Sequence, residues 1–317
     1  MKIGLRHIRY FIAVAEELHF RRAADRLSVA QPALSRAIQH LEQELQVLLF
    51  DRSNRSVRIT DAGQTFLEGC RSIMNAVEHT IDDARQVHRG QIGSLRIGYT
   101  DMAIAGVLPR LLKSFQAQQP GIVLQPNHHV TATQLKKLDE GELDIGCVTG
   151  PISRSGYEQQ LIQSERLVCV VYENHRLAHR GSIHLEELAH EDFVHGPSKD
   201  WEHFYSYLIP LCRRSGFVPH IVQEAYNSAG ILGLVACGMG VTVLTESVRG
   251  SLTNDLVPLE LEGITEQLQT VALWRTDSIV GSKSLFVDFL RQNVFGGAMG
   301  APRRQADQGS KGNAGRS

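Results

Sequence analysis

Gln31-Pro32-Ala33-Leu34-Ser35-Arg36-Ala37-Ile38-Gln39-His40-Leu41-Glu42 reads as a helix with two unlike faces. Pro32 suits a first helical turn, where its missing N–H leaves no bond unmade. Leu34, Ile38, Leu41 and Leu45 recur at threes and fours and turn inward. Gln31, Ser35, Arg36 and Gln39 lie on the opposite, polar side. At the start of a helix, such side chains can meet the donors and acceptors that base pairs display in a major groove.

The flanks extend this reading. Leu5, Ile8, Phe11, Ile12, Ala15 and Leu18 predict an amphipathic helix over 5–17. A short helix fits 21–27, and Ser28-Val29-Ala30 makes the turn into the helix above. Downstream, the polar run Asp51-Arg52-Ser53-Asn54-Arg55-Ser56 between Leu48-Leu49-Phe50 and Val57-Arg58-Ile59 predicts a small hairpin. Thr60 can cap a further helix, with Asp61 favouring its positive end. From there Phe66, Cys70, Ile73, Val77, Thr80 or Ile81, Ala84 and Val87 form one narrow stripe, which fits a helix paired with another helix. Gly90 and Gly93 end it.

Charge is unevenly placed. Residues 1–60 hold ten Lys/Arg and six Asp/Glu, a net of +4, in a chain of formal net charge −1. One end is therefore suited to approach phosphates and the rest is not. Arg52 and Arg55 on the hairpin, with Arg21 or Arg22 ahead of Ala23, are candidates for phosphate contact or for a minor groove.

Beyond Ser94 the pattern becomes strand 95–99, helix 107–118, strand 122–125, helix 133–139 and strand 143–148. This β-α-β-α-β order implies a parallel sheet with right-handed crossovers. Segments 167–171, 193–195, 201–214, 221–224, 228–238 and 241–244 repeat the theme. A strand at 268–274 and a helix at 283–294 are expected to return to the first lobe. The Gly-, Arg- and Gln-rich stretch 296–317 has no periodicity and is expected to be a disordered tail.

Composition bounds the function. With 42% hydrophobic and 21% charged residues in 317, the chain can bury a sizeable core. No apolar run approaches the ~20 residues of a membrane span, and Met1 leads into charged sequence, so a cytoplasmic protein is expected. Cys70, Cys147, Cys169, Cys212 and Cys237 form no C-x-x-C pair, which argues against a disulfide framework and a zinc site. His128-His129, His175, His179, His190 and His195 lack zinc spacing, and Gly238-Met239-Gly240 lacks the third glycine of a dinucleotide loop. There is no P-loop and no G-x-S-x-G elbow. No enzyme, cofactor or metal is expected.

Leu5-Arg6-His7-Ile8-Arg9-Tyr10-Phe11, Ala23-Ala24-Asp25-Arg26-Leu27, Gln31 to Ile38, Leu41-Glu42, Leu49-Phe50-Asp51-Arg52 and Thr60-Asp61-Ala62-Gly63 together strongly resemble the signature of LysR-type transcriptional regulators. The resemblance implies an α/β chain with a winged helix-turn-helix over 1–60 and a linker and dimerisation helix over 61–90. An effector domain resembling periplasmic binding proteins would follow over 91–295, with lobe I at about 91–163 and 266–295 and lobe II at about 164–265. It implies promoter DNA and a small-molecule effector as partners, a homodimer through the linker helix, a homotetramer, and RNA polymerase where the protein activates. No membrane is implied, and the protein would associate with the nucleoid when bound to DNA.

By the same resemblance the effector is held between the lobes by Thr100, Asp101 and Met102, by Thr131, by Gly196 and Ser198 around Pro197, and by Asn227 and Ser228. Helix N-termini there would offer N–H groups to a carboxylate. Ile97-Gly98-Tyr99 leading to Val107-Leu108-Pro109 looks like the branch that often senses aromatic or small organic acids. Two departures stand out. The family often has Ser or Thr capping the second helix, where Arg21-Arg22 stand here. Asp101 stands where the family usually has neutral small or hydroxyl residues: it either caps a helix and faces away from the ligand or, facing the cleft, would repel an anion and favour an amine-bearing or zwitterionic effector.

Overall fold

The computed structural model describes residues 3–53, 56–88 and 93–294. The tail expected at 296–317 lies outside the described residues, as do Arg55 and Gly90. Helices α1 (Leu5–Glu17), α2 (Phe20–Arg26) and α3 (Gln31–Leu45) precede the antiparallel hairpin of β1 (Phe50–Ser53) and β2 (Ser56–Ile59). Ala23 and Ala24 are buried where α2 meets its neighbours, beside Phe11, Leu34, Ile38, Leu41 and Phe50. The Phe11 ring lies 5.4 Å from that of Phe50 and 5.0 Å from that of Phe66, a geometry in which aromatic edges and faces attract.

The start of α2 is capped by an unexpected group. His19 Nδ1 accepts the N–H of Arg22 at 3.3 Å, doing the work of the missing Ser or Thr. Thr60 behaves as the sequence suggests: its hydroxyl accepts the N–H of Gly63 at 3.0 Å and donates to the carbonyl of Leu48 at 2.8 Å. It fixes the start of α4 (Asp61–His88), a helix of 28 residues. The apolar stripe of α4 then divides. Leu67 and Cys70 are buried in the winged-helix core, whereas Ile73 and Ile81 are each 46% exposed.

The remainder runs β3 (Gly93–Tyr99), α5 (Asp101–Ala105), α6 (Leu108–Gln118), β4 (Ile122–His128), α7 (Thr131–Asp139), β5 (Ile145–Gly150), β6 (Tyr157–Tyr172), β7 (Ser182–His184), β8 (Asp192–His195), α8 (Glu202–Arg214), β9 (His220–Glu224), α9 (Ser228–Ala236), β10 (Thr242–Thr245), β11 (Leu256–Glu262), β12 (Gln267–Arg275) and α10 (Gly281–Val294). β3 pairs in parallel with β4 and β5, and β12 joins β5 antiparallel. Phe286, Val287, Phe289 and Leu290 of α10 bury against Leu95, Ile97, Phe115 and Trp274, completing the core of this first lobe.

β6 is a single strand shared by two lobes. Tyr157 to Arg166 pairs with β12, whereas Leu167 to Tyr172 pairs with β10 and β11. The chain crosses on β6 and returns between β11 and β12. The expected strand at 167–171 was only the apolar second half of β6. Its first half, Tyr157-Glu158-Gln159-Gln160, is mostly polar and partly exposed, so it carries no core signal. The second lobe closes around Val168, Val170, Phe193, Leu208, Ile231 and Val243, all buried.

Gln134 of α7 explains two glycines. Its amide is fully buried, and Nε2 donates to the carbonyls of His129 at 2.7 Å and Cys147 at 3.3 Å. A Cβ on Gly98 would stand 2.7 Å from Gln134 Oε1, and one on Gly146 3.1 Å from the same atom. Both strands must therefore be bare where the glutamine crosses them. Among the described residues no helix is long and apolar enough to cross a membrane.

Candidate functional site

The outer face of α3 presents Gln31, Pro32, Arg36 and Gln39, all exposed, with Ser35 half-buried between them. Gln31 Nε2 donates to Ser35 Oγ at 3.1 Å, and Arg36 Nε donates to the carbonyl of Pro32 at 3.3 Å. The face is thus held in shape by local bonds that a base edge or phosphate could replace. Arg21 is exposed and has no ion pair among the described residues. Arg22 instead ties α2 to α1, donating to the Glu17 carbonyl at 2.6 Å and pairing with the Glu17 carboxylate at 3.4 Å. Arg52 lies on β1 with its side chain outside the described residues.

Glu42 was noted only as part of the sequence pattern, yet it positions this face. It is 7% exposed, and Oε1 accepts the N–H groups of Leu49 at 3.0 Å and Phe50 at 3.1 Å. The entry to the wing is thereby tied to α3.

The second site is the cleft between the lobes. Thr100, Asp101 and Met102 at the start of α5, His128 of β4, and Val130, Thr131 and Thr149 form one wall; Asp200, Trp201, His203 and Phe204 form the other. Together they line a small cleft open to solvent. Thr100 Oγ1 accepts the N–H of Ala103 at 3.4 Å, and Thr131 Oγ1 accepts that of Thr149 at 3.2 Å, so each hydroxyl keeps its proton free to donate. Asp101 Oδ1 lies 3.3 Å from His128 Nε2, and Oδ2 accepts the N–H of Ser228, across the cleft, at 3.1 Å. Burial pushes the Asp101 carboxyl up from its ordinary range, against the pull of His128 and the Ser228 N–H.

Residues 5–64 match the bacterial regulatory helix-turn-helix proteins of the lysR family, and residues 88–294 match the LysR substrate binding domain. The chain belongs to the LysR family. It is 38% identical to YnfL of Escherichia coli, an uncharacterized HTH-type transcriptional regulator, over 86% of this chain and 92% of YnfL. It is 33% identical to the HTH-type transcriptional regulator AlsR of Bacillus subtilis, over 86% of this chain and 91% of AlsR. The crystal structure of CbnR, a LysR family transcriptional regulator, matches with a TM-score of 0.68 at 26% identity, covering 92% of this chain and 99% of CbnR. A structure of full-length CbnR complexed with its target DNA matches equally well. This LysR-family chain is a DNA-binding transcriptional regulator with a two-lobed effector domain, and its relatives are regulators rather than enzymes.

Within the effector domain, Thr100, Asp101, Met102 and Thr131 come together in the cleft, and Gly196 and Ser198 are not among its lining residues. Gly196 lies under an aromatic ring: a Cβ there would sit 2.2 Å from Trp201 Cδ1. Its glycine thus serves the packing of Trp201, and Trp201 reaches the cleft in its place. Ser198 is exposed. Asn227 caps α9, its side-chain oxygen accepting the N–H of Gly230 at 2.8 Å, and Ser228 meets Asp101 and lines a second, larger cavity on the far side of α5. The cleft-lining residues that sequence reasoning missed are His128, Val130, Thr149, Asp200, Trp201, His203 and Phe204. Of these, the run Asp200 to Phe204 had a signal, being polar and aromatic at a helix start.

Proposed function

We propose that this regulator controls transcription as a dimer whose two α3 helices read half-sites about one DNA turn, or a multiple, apart, so that the operator is roughly palindromic. Gln31, Ser35, Arg36 and Gln39 contact bases and nearby phosphates, Pro32 sets the start of the helix, and Arg21, Arg52 and Arg55 hold phosphates. The dimer forms along the part of α4 that includes Ile73 and Ile81, whose exposed apolar side chains continue a stripe beyond the winged-helix core. Dimers pair into tetramers through the effector domains. The protein acts in the cytoplasm, at the nucleoid when on DNA, and touches RNA polymerase at promoters that it activates.

A small-molecule effector binds in the cleft between lobes. The observation that carries this is the convergence of two threonine hydroxyls from one lobe on Trp201 and Phe204 from the other, across the strands on which the chain crosses. Ligand binding favours one arrangement of the lobes by its differential affinity, and so alters the spacing of the DNA-binding pairs.

Gel shifts with operator variants test the DNA half: Gln31→Ala and Ser35→Ala change the ranking of variants, and an unchanged ranking removes the recognition-helix assignment. Sedimentation of Ile73→Glu with Ile81→Glu gives monomers, and surviving dimers move the interface elsewhere. For the cleft, Thr131→Val and Trp201→Ala abolish the promoter's response in cells while operator binding persists.

A further inference from the structure

Helix α9 begins beside Asp101, and a helix N-terminus is the kind of group that takes a ligand carboxylate in many proteins. Here it is already occupied from within. Asp101 of the first lobe reaches across and accepts the Ser228 N–H at 3.1 Å, while His128 stands 3.3 Å from its other oxygen. A second carboxylate, Asp200, lines the opposite wall. Neither Lys nor Arg is among the cleft's lining residues, and burial pushes the His203 ring down, toward the neutral form. Asp101 is thus a half-buried carboxyl whose partners are one backbone N–H and one histidine whose side chain is 40% exposed.

A ligand carboxylate brought to this wall would meet two carboxyl groups with no Lys or Arg in the lining to offset them. A cationic nitrogen would find a carboxyl with one oxygen held only by the partly exposed His128, and the Trp201 and Phe204 rings on the facing wall, the pairing of acid and aromatic surface that suits an ammonium. Thr100 and Thr131 retain hydroxyl protons for an acceptor oxygen elsewhere on the same ligand.

We propose that the effector of this regulator carries a cationic nitrogen, which Asp101 binds by exchanging His128 for the ligand while keeping the Ser228 N–H. Asp101 is then the residue that sets effector class, and the bond it keeps ties the ligand to both lobes. The proposal rests on the reading of the cleft as the effector site. It departs from the organic acid that family resemblance alone suggests.

The test is thermal unfolding and calorimetry of the full-length protein with two matched sets of probes: valine, isobutylamine and isovalerate, then phenylalanine, phenethylamine and 3-phenylpropionate. Each set removes either the acid or the amine from one skeleton. The amine-bearing members of at least one set raise the unfolding temperature by a few degrees, about 2–4 °C, and the acids do not. Asp101→Asn, which keeps an acceptor for the Ser228 N–H, weakens amine binding about tenfold or more. Isovalerate or 3-phenylpropionate binding as well as its amine partner overturns the cationic class, as does the absence of any shift. An amine shift that survives in Asp101→Asn overturns the role of Asp101. In each of these cases the cleft reading stands or falls separately, on whether Thr131→Val and Trp201→Ala silence the promoter response in cells.

Discussion

Glu42 Oε1 accepts the N–H of Leu49 at 3.0 Å, inside a core from which water is excluded. The same oxygen takes the N–H of Phe50, so one carboxylate on α3 satisfies the first donor of β1 and the one just before it. Removing it leaves both without a partner. Glu42→Ala should destabilise the DNA-binding unit by about 2–3 kcal/mol, read as a lower denaturation midpoint. Glu42→Gln keeps an acceptor and should lose less than half of that. Equal losses for the two variants would mean that packing, not the hydrogen bonds, carries the effect.

Arg21 and Arg22 are neighbours with different tasks. Arg22 is committed to Glu17 by two contacts, whereas Arg21 is exposed and without an ion pair among the described residues. A phosphate-binding arginine contributes about 0.9 to the slope of log affinity against log salt. Arg21→Ala should therefore weaken binding to all sequences alike and flatten that slope by about one. Arg22→Ala should leave the slope nearly unchanged and loosen the packing of α1 on α2. Fluorescence anisotropy over a range of salt concentrations separates the two, and a slope lost with Arg22 instead would reverse the assignment.

Arg71 joins three parts of the chain. One guanidinium nitrogen lies 3.3 Å from Glu140 of the first lobe, and another lies 3.3 Å from Glu16 of α1. Asn75 adds a bond to the Glu140 carbonyl. Partly exposed pairs of this kind are worth about 1 kcal/mol or less, too little to hold the fold but enough to bias how the linker sits on the lobe. Arg71→Met should leave the melting temperature nearly unchanged and raise amide exchange in residues 136–141 and 71–75. Unchanged exchange would show that the linker is held there by other contacts.

What sequence made visible follows from where burial leaves a periodic mark. α3 and α4 were legible because Leu34, Ile38 and Leu41, then Phe66 and Cys70, repeat at helical spacing against one core. The first half of β6 left no such mark, since it pairs with β12 while exposing much of its polar side. The cleft was legible on the first lobe, where Thr100 and Thr131 open helices directly after strand segments. On the second lobe the resemblance pointed to Gly196 as an effector contact, and nothing local in the sequence showed what packs over it. The structure answers with the ring of Trp201, five residues on. Asp101 was recognisable as unusual only against the family's pattern, and its bond to Ser228 joins residues 127 positions apart and left no local trace.

His195 makes stability depend on acidity. It is fully buried, with Nε2 3.2 Å from the Val243 carbonyl and Nδ1 accepting the Gly196 N–H at 3.0 Å. The two contacts need one ring nitrogen protonated and the other bare, which is the neutral ring. Burial accordingly pushes its pKa down to about 4 from an ordinary 6.5. The unfolded chain then binds the proton more readily than the folded one. The stabilisation is fully present above pH 6.5 and is lost progressively as pH falls toward 4, by about 3 kcal/mol in all. Trp201 lies 5.0 Å from this ring, so its fluorescence can follow the event. Thermal unfolding of the wild type should fall steeply between pH 6.5 and 4.5. His195→Gln can still donate to Val243 and accept from Gly196 but has no proton to gain; it should start lower at pH 7 and show a shallower decline. An equally steep decline in the variant would place the acid-sensitive group elsewhere.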